Sequence, residues 1–154
     1  MNAPQLDIPA FLDRRPVIWT YTNLNTYENI CPHQFFRRYI ARDIPYAETP
    51  EMKFGNDVHT AMELRLGGKP LPPSMEKMEP ICLTFQNRGA RAEQKLGLTV
   101  EGRAAGFWDK NVWYRGKLDV SVIVGDVGYI PDYKSGKTIR EDPLELELNA
   151  CLLQ

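Results

Sequence analysis

The chain has 154 residues, of which 43% are hydrophobic and 25% are charged, and its formal net charge is −1. This composition is ordinary for a globular domain with a sizeable core, and it excludes a uniformly basic nucleic-acid-binding protein. No apolar run approaches the roughly 20 residues that span a bilayer, and residues 1–16 lack the apolar segment of a signal peptide. We therefore expect a cytoplasmic protein without a membrane partner.

The chain is expected to begin with an irregular lead-in over residues 1–19, followed by a single domain over 20–154. Thr20 or Thr22 suits the N-cap of a first helix, because a hydroxyl can accept a hydrogen bond from a free backbone N–H group. Pro32 suits the first turn of a second helix, where its missing N–H costs nothing.

The middle of the chain is also predicted to be helical. Apolar residues at helical spacing predict a helix over residues 56–66, which the glycine at 67 ends. Pro45 and Pro50 mark the loop before it. A longer helix is expected over residues 75–96.

The remainder is predicted to contain strands and a final helix. β-branched and aromatic residues favour strands over 98–107, 112–124 and 129–134, and residues 143–154 are typical of a helix. Helices followed by a meander of strands and a helix indicate an α/β (α+β) layered fold. The final helix has neither a glycine cap nor a polar tail, so we expect a truncated chain or a protein partner or second copy that covers this helix.

Two carboxylates and a lysine are predicted to share one face of the last two strands. If Asp126 and Val127 are the turn residues of this hairpin, Asp119 lies opposite Lys134. Alternate residues of a strand point to the same side, so Asp119, Asp132 and Lys134 share a face. Neighbours across strands lie about 5 Å apart, so both carboxylates are expected to reach one cation.

This face has two interpretations. Two adjacent carboxylates repel each other unless a proton or cation lies between them, and Mg²⁺ and Mn²⁺ prefer oxygen ligands. A bound metal activates water and stabilises charge on a phosphoryl oxygen, while Lys134 would orient the water or stabilise the developing charge. These groups suit phosphodiester hydrolysis. The alternative is a solvated hairpin face on which acidic and basic side chains pair.

Four segments strengthen the first interpretation. Cys31–Phe35 reads Cys-Pro-x-x-Phe, Phe54–Glu63 reads Phe-Gly-x-x-x-His-x-x-x-Glu, Gly116–Asp119 reads Gly-x-x-Asp, and Asp132–Lys137 reads Asp-Tyr-Lys-x-Gly-Lys. In this order and spacing, they resemble motifs of the RecB-type branch of the PD-(D/E)XK nuclease superfamily. The resemblance extends over about residues 20–150 and implies a restriction-endonuclease-like core, in which helices flank a central mixed sheet with an antiparallel hairpin.

The resemblance also implies a function. Members of this branch are metal-dependent DNA nucleases, so we expect an exonuclease or a DNA-end-processing enzyme that acts on single strands or duplex ends in recombination or repair. Mg²⁺ or Mn²⁺ is the expected cofactor.

Residue roles carry over by position. Asp119 matches the first metal-binding acid, Asp132 the second, and Lys134 the catalytic lysine. His59 matches a histidine that adds a metal ligand in this branch, and the carbonyl of Tyr133 matches the backbone ligand.

One departure from the family pattern keeps a second function open. The helix after the lysine strand often carries Gln-x-x-x-Tyr in the family, whereas Glu145 and Asn149 occupy these positions here. Glu145 would contact substrate but would place negative charge near a phosphate path. The alternative is therefore a catalytically impaired, noncatalytic DNA-binding or assembly module of the same fold.

Cysteine use argues against a metal cluster. The three cysteines are far apart and form no C-x-x-C pair, so we expect buried free thiols. Some members of the branch carry a four-cysteine iron–sulfur cluster, and Cys31 matches its first position. The other three positions would lie beyond residue 154, so an iron–sulfur cluster is not expected from this chain alone.

Two basic clusters are candidates for DNA contact, because phosphate neutralisation supplies most nonspecific affinity for DNA. Solvated helix faces look the same in sequence. Three aromatic residues are either base-stacking groups or packing residues. The first basic cluster comprises Arg37, Arg38 and Arg42, the second comprises Arg88, Arg91 and Lys95, and the aromatic residues are Trp108, Trp113 and Tyr114.

Overall fold

The computed structural model describes residues 17–45, 47–133 and 142–153. These residues form two compact units, one that ends at residue 45 and one that begins at residue 47. The division falls inside the range that the sequence assigns to a single domain. None of the helices described is long and apolar enough to cross a membrane.

The first unit is helical. Helix α1 spans Tyr21–Asn25 and continues as a π-helical turn over Thr26–Ile30, and α2 spans Pro32–Phe35 and continues in the same way over Phe36–Ala41. Thr20 and not Thr22 is the N-cap. Its backbone N–H donates to the Asn23 side chain at 2.9 Å, while its hydroxyl accepts from the Asn23 N–H at 3.3 Å. This reciprocal pair is a capping box.

The helical part of the second unit differs from expectation at its start. Helix α3 spans Pro50–Leu66, so it begins before residue 56. The Thr49 side chain accepts a hydrogen bond from the Met52 N–H at 3.3 Å, and Pro50 occupies the first turn. The proline therefore starts the helix and does not mark a loop, because a missing N–H is harmless there.

The predicted helix over residues 75–96 is wrong. A 3₁₀ turn over Pro73–Met78 leads into a short helix α4, Glu79–Asn87. Gly89 then adopts a left-handed φ of +67°, and the N–H groups of Gly89 and Ala90 bond to the carbonyls of Gln86 and Phe85. This is the Schellman pattern that ends helices. The chain continues as a strand, so Arg88, Arg91 and Lys95 do not share a helix face.

A four-stranded sheet follows in the order β2-β1-β3-β4. Every pair of these strands is antiparallel, whereas a mixed sheet was expected. With its helices, the second unit is a mixed α+β structure. The strands are β1 Arg91–Leu98, β2 Ala104–Gly106, β3 Tyr114–Val124 and β4 Val127–Tyr129.

The hairpin turn lies one residue earlier than predicted. Val124 pairs with Val127, so the turn residues are Gly125 and Asp126, and Gly125 has a φ of +59°. A glycine at the first turn position matches a type II′ hairpin. Extended along the strands, this register sets Asp119 opposite Asp132. The predicted partner, Lys134, lies outside the described residues.

The core of the second unit lies between α3, α4 and the sheet. Its most completely buried side chains are each less than 2% exposed. Helix α5, Pro143–Cys151, is present where a helix was predicted, and Leu152 just beyond it packs so closely on β3 that a Cβ on Gly116 would collide with it. The most buried residues are Met62, Cys82, Tyr114, Leu118 and Val120.

The cysteines are free, as expected, but they are not equally buried. Cys82 is fully buried in the core, whereas Cys31 and Cys151 are partly exposed. Burial raises the pKa of the Cys82 thiol, because the thiolate is poorly solvated there. The prediction of buried thiols is therefore confirmed for Cys82 alone.

Candidate metal centre

His59 and Asp119 meet although they are far apart in sequence. His59 lies on α3 three positions before the buried Met62, so both side chains are on the inward face of the helix. Its Nδ1 lies 3.0 Å from Oδ1 of Asp119 on β3, and the two side chains are 25% and 12% exposed. The structure therefore brings together two of the predicted metal ligands.

The backbone of Tyr133 completes this arrangement. Its ring packs against the core cluster of Val58, Met62 and Cys82, which fixes the orientation of its peptide groups. The Tyr133 N–H donates to Oδ2 of Asp119 at 3.3 Å, and its carbonyl oxygen lies 3.1 Å from Nε2 of His59. The predicted backbone ligand therefore faces the same site.

The electrostatics of the pair favour charge on both groups. A hydrogen bond with Asp119 raises the pKa of His59 against the opposing effect of burial. Burial acts to raise the pKa of Asp119, but hydrogen bonds with His59 and Asp132 together hold it below its ordinary value of 3.8. The imidazole faces an oxygen acceptor at each nitrogen, so both nitrogens must donate in this arrangement. A protonated His59 thus supplies positive charge between the Asp119 carboxylate and the Tyr133 carbonyl.

Asp132 lies at the same site but nearer to solvent. Its side chain is exposed and forms a hydrogen bond with Asp119. Adjacent carboxylates repel each other unless a proton or a cation lies between them. The predicted pairing of these two acids at one centre therefore agrees with the geometry.

Glu93 is a fourth side chain at the site, and the sequence did not indicate it. Three potential ligand atoms, one each from His59, Glu93 and Asp119, lie within 4.8 Å of one another. Glu93 was overlooked because it falls in the predicted helix over residues 75–96. The glycine at 89 was the available signal, since ending the helix there makes the next segment a strand.

A cavity of about 280 Å³ opens over His59, Asp119, Asp132 and Tyr133, whereas Glu93 lies outside its lining. Glu145 and Asn149 of α5 line it, as expected for the two positions that depart from the family pattern. Lys117 of β3 also reaches it, whereas the predicted catalytic Lys134 lies outside the described residues. The lining includes His59, Lys117, Asp119, Asp132, Tyr133, Glu145 and Asn149.

The donor set fits a hard divalent cation. It offers carboxylate oxygens, a backbone carbonyl and an imidazole, which is the mixture that Mg²⁺ and Mn²⁺ accept in proteins. Tyr133 orients Asp119 through its N–H, so one ligand is already held by a second group.

The predicted basic contacts Arg37 and Arg38 lie in a different compact unit from the metal centre. Arg37 and Arg38 belong to the first unit, and Arg37 pairs with Asp43 at 3.0 Å. Of the aromatic candidates, Tyr114 is buried in the core, whereas Trp108 is 74% exposed. Trp108 therefore remains available for stacking, and Tyr114 does not.

The chain matches no family model, no curated protein and no solved structure. The function of the site must therefore be inferred from its own residues.

Proposed function

We propose that the protein is a metal-dependent DNA nuclease that hydrolyses phosphodiester bonds, as an exonuclease or DNA-end-processing enzyme of the PD-(D/E)XK type. The observation that carries the proposal is the convergence of His59, Asp119 and the Tyr133 backbone in one cavity. These residues come from three separate segments, each of which resembles a motif of that superfamily.

The fold is compatible with the restriction-endonuclease-like core that the proposal requires. The antiparallel strands β1, β3 and β4 would form one part of its sheet, with α3 and α5 supplying side chains to the cavity. A cytoplasmic location and a role in recombination or repair would follow from DNA as the substrate.

Each residue at the centre has a distinct role in this mechanism. Asp119, Asp132, His59 and the Tyr133 carbonyl would hold Mg²⁺ or Mn²⁺. When bound, the cation supplies a water of lowered pKa and stabilises charge on the phosphoryl oxygen. The Tyr133 N–H keeps the Asp119 carboxylate oriented. Lys134 would orient the attacking water, as its position in the motif implies.

A single strand is the favoured form of DNA. Arg115 and Asp119 are four positions apart on β3. Because alternate residues of a strand point to the same side, they share a face with Lys117, which lies between them. The Arg115 guanidinium lies 4.7 Å from the centre of the Phe107 ring and 5.0 Å from that of the exposed Trp108. Basic side chains can bind the phosphates of a single strand, while an exposed aromatic ring beside them stacks on an unpaired base.

The test is cleavage of labelled single-stranded and duplex DNA with Mn²⁺. We expect the wild type to cut and both Asp132→Ala and Lys134→Ala to lose activity. Equal cleavage by all three proteins would show that these side chains do not carry the reaction.

A noncatalytic DNA-binding or assembly module is the second candidate, and the position of Glu145 favours it. Its carboxylate lines the cavity through which a phosphate would pass and would repel it. Leu146 on the same helix is 49% exposed, which suits a protein partner or a second copy over α5. DNA binding without Mn²⁺ binding in calorimetry, or a dimer in light scattering, would support this function.

A further inference from the structure

Glu93 has an unusual backbone conformation for a strand residue. It lies within β1, yet its φ is +51°, a left-handed value that L side chains disfavour because Cβ approaches the backbone. Such conformations are kept where the surrounding structure requires a particular side-chain position. The side chain is 13% exposed, so it points into the protein and not into solvent.

The local register shows what this conformation achieves. Ala92 pairs with Val120 and Gln94 with Leu118, so Glu93 and Asp119 occupy facing positions without forming a regular pair themselves. Like charges that face each other across strands are destabilising. The arrangement therefore needs a positive charge between or beside the two carboxylates.

Lys117 currently supplies one such charge. Its Nζ lies 2.5 Å from Oε2 of Glu93, and the lysine side chain is 46% exposed. A flexible and half-exposed ammonium group is easily rearranged, because it can regain its hydration in solvent.

The distances also suit coordination. Ligand atoms bound to one Mg²⁺ lie about 2.0–2.1 Å from it, which places them about 3–4 Å from one another. The atoms of Glu93, His59 and Asp119 lie within 4.8 Å of one another, which is close to the spacing that a common ion requires.

We propose that Glu93 is an additional side-chain ligand of the divalent cation and that Lys117 holds its carboxylate in the absence of that ion. The proposal rests on the metal centre of the proposed function but not on DNA cleavage. It adds a carboxylate from β1 to the ligands expected from the resemblance.

Calorimetric titration with Mn²⁺, without DNA, tests the proposal. We expect Glu93→Gln to weaken Mn²⁺ binding by about tenfold or more, as for groups that fix a metal. The matched control is Glu147→Gln, which removes an exposed carboxylate of α5 outside the cavity and should leave the affinity unchanged. In roughly 1 M salt, where charges are screened beyond about 3 Å, the loss should persist.

A second variant separates a ligand from a plain ion pair. If Glu93 serves only to pair with Lys117, Lys117→Met should leave Mn²⁺ affinity unchanged and so should Glu93→Gln. If it is a ligand, Lys117→Met should raise the affinity, because it removes the competing cation, and this gain should shrink when Glu93 is also replaced. Glu93→Gly, which accepts the left-handed φ, provides a variant that is expected to fold.

The outcomes distinguish the two proposals. Wild-type affinity in both Glu93→Gln and Glu93→Gly would overturn the role of Glu93 while leaving the nuclease intact. A wild-type protein that binds no Mn²⁺ would overturn the metal centre, and the role of Glu93 with it. Mn²⁺ binding that depends on Glu93 in a protein that does not cleave DNA would leave this inference standing and remove the nuclease.

Discussion

Two of the cavities formed by the described residues open beside β3, and the larger of them is not the candidate metal centre. The larger has a volume of about 450 Å³, and its lining mixes apolar side chains such as Leu96, Ile123 and Leu152 with the polar side chains of Arg91, Gln94 and Ser121. The smaller, of about 280 Å³, contains His59 and Asp119. Asp119 and Ser121 are only two positions apart on β3, yet each lines a different cavity. The cavities therefore differ in the side chains that line them more than in their place on the sheet.

The difference between the cavities has a structural origin. The smaller one receives side chains from α3, β3 and α5 and a peptide group from the segment after β4. Two polar groups of the larger one satisfy each other, since the Ser121 hydroxyl donates to the Gln94 side chain. Several polar groups that converge on one cavity are a better sign of a functional site than volume alone.

Of the substitutions that compare the two cavities, replacement of Asp119 should have the largest effect on DNA cleavage. We expect Asp119→Asn to lower Mn²⁺-dependent DNA cleavage by at least about 100-fold, because even groups that merely support a ligand are worth 10–100-fold. Initial rates on labelled single-stranded DNA measure this. Ser121→Ala, in the larger cavity, should retain wild-type rates, and equal losses in both variants would remove the distinction between the cavities.

His59→Gln should have the next largest effect. The amide cannot reproduce both contacts of the imidazole, so we expect Mn²⁺ affinity to fall about 10- to 100-fold. Isothermal calorimetry provides the measurement, with Arg91→Gln as the comparison in the larger cavity. An unchanged affinity in His59→Gln would mean that the histidine only pairs with Asp119.

A smaller effect is expected from Glu145→Gln. Removing one negative charge from the cavity should raise affinity for single-stranded DNA about fivefold, since two charges at about 4 Å in water interact by about 1 kcal/mol. Fluorescence anisotropy with EDTA present isolates binding from cleavage. The exposed Glu147→Gln serves as the control, and equal gains in the two variants would mean that net charge, and not the cavity, determines affinity.

The smallest effect concerns the helices behind the site. Arg65 of α3 contacts Glu79 of α4 through Nε and Nη2, and the hydrogen bond from Arg65 lowers the pKa of Glu79 from its ordinary 4.5. A lowered folded-state pKa stabilises the protein above the unfolded-state value, and this contribution disappears as pH falls through the folded-state value. Glu79→Gln should therefore slightly lower Tm near pH 7.

Thermal unfolding of both proteins between pH 7 and about pH 3 tests the sign. The difference in Tm should shrink below pH 4.5 and vanish once Glu79 is protonated in the wild type. A constant difference across this range would mean that the carboxylate charge does not stabilise the α3–α4 contact. The Mn²⁺ affinity of Glu79→Gln should equal that of the wild type.

How far the sequence predicted the site depends on the kind of interaction at each residue. His59, Asp119 and Asp132 could be predicted, because their motifs are short and local. Glu93 was missed because it fell in the predicted helix; Gly89 signalled that the helix ends, but no local pattern encodes the left-handed φ of +51° that Glu93 adopts within β1. The helix over 75–96 was wrong for a related reason: the hydrogen bonds that end α4 at Gly89 outweighed the helix-forming residues that follow.

The hairpin shows a different limit. Its strands were predicted from their β-branched residues, but the turn was placed at Asp126 and Val127 when Gly125 and Asp126 form it. Because the resulting shift is two positions, Asp119 and Asp132 stay on one face. Moving the turn by one residue changes each cross-strand partner by two positions, which keeps side chains on the same face. A change of one position would have placed the two carboxylates on opposite faces.

The ring of Tyr133 lies in the core formed by Val58, Met62 and Cys82, while its peptide groups face His59 and Asp119. Tyr133 therefore contributes both to the packing of the hydrophobic core and to the candidate metal centre. A core substitution that moved this ring would move a carbonyl and an N–H at the centre with it. A substitution at Met62 or Cys82 is therefore expected to disturb the geometry at His59 and Asp119 as well as the stability of the core.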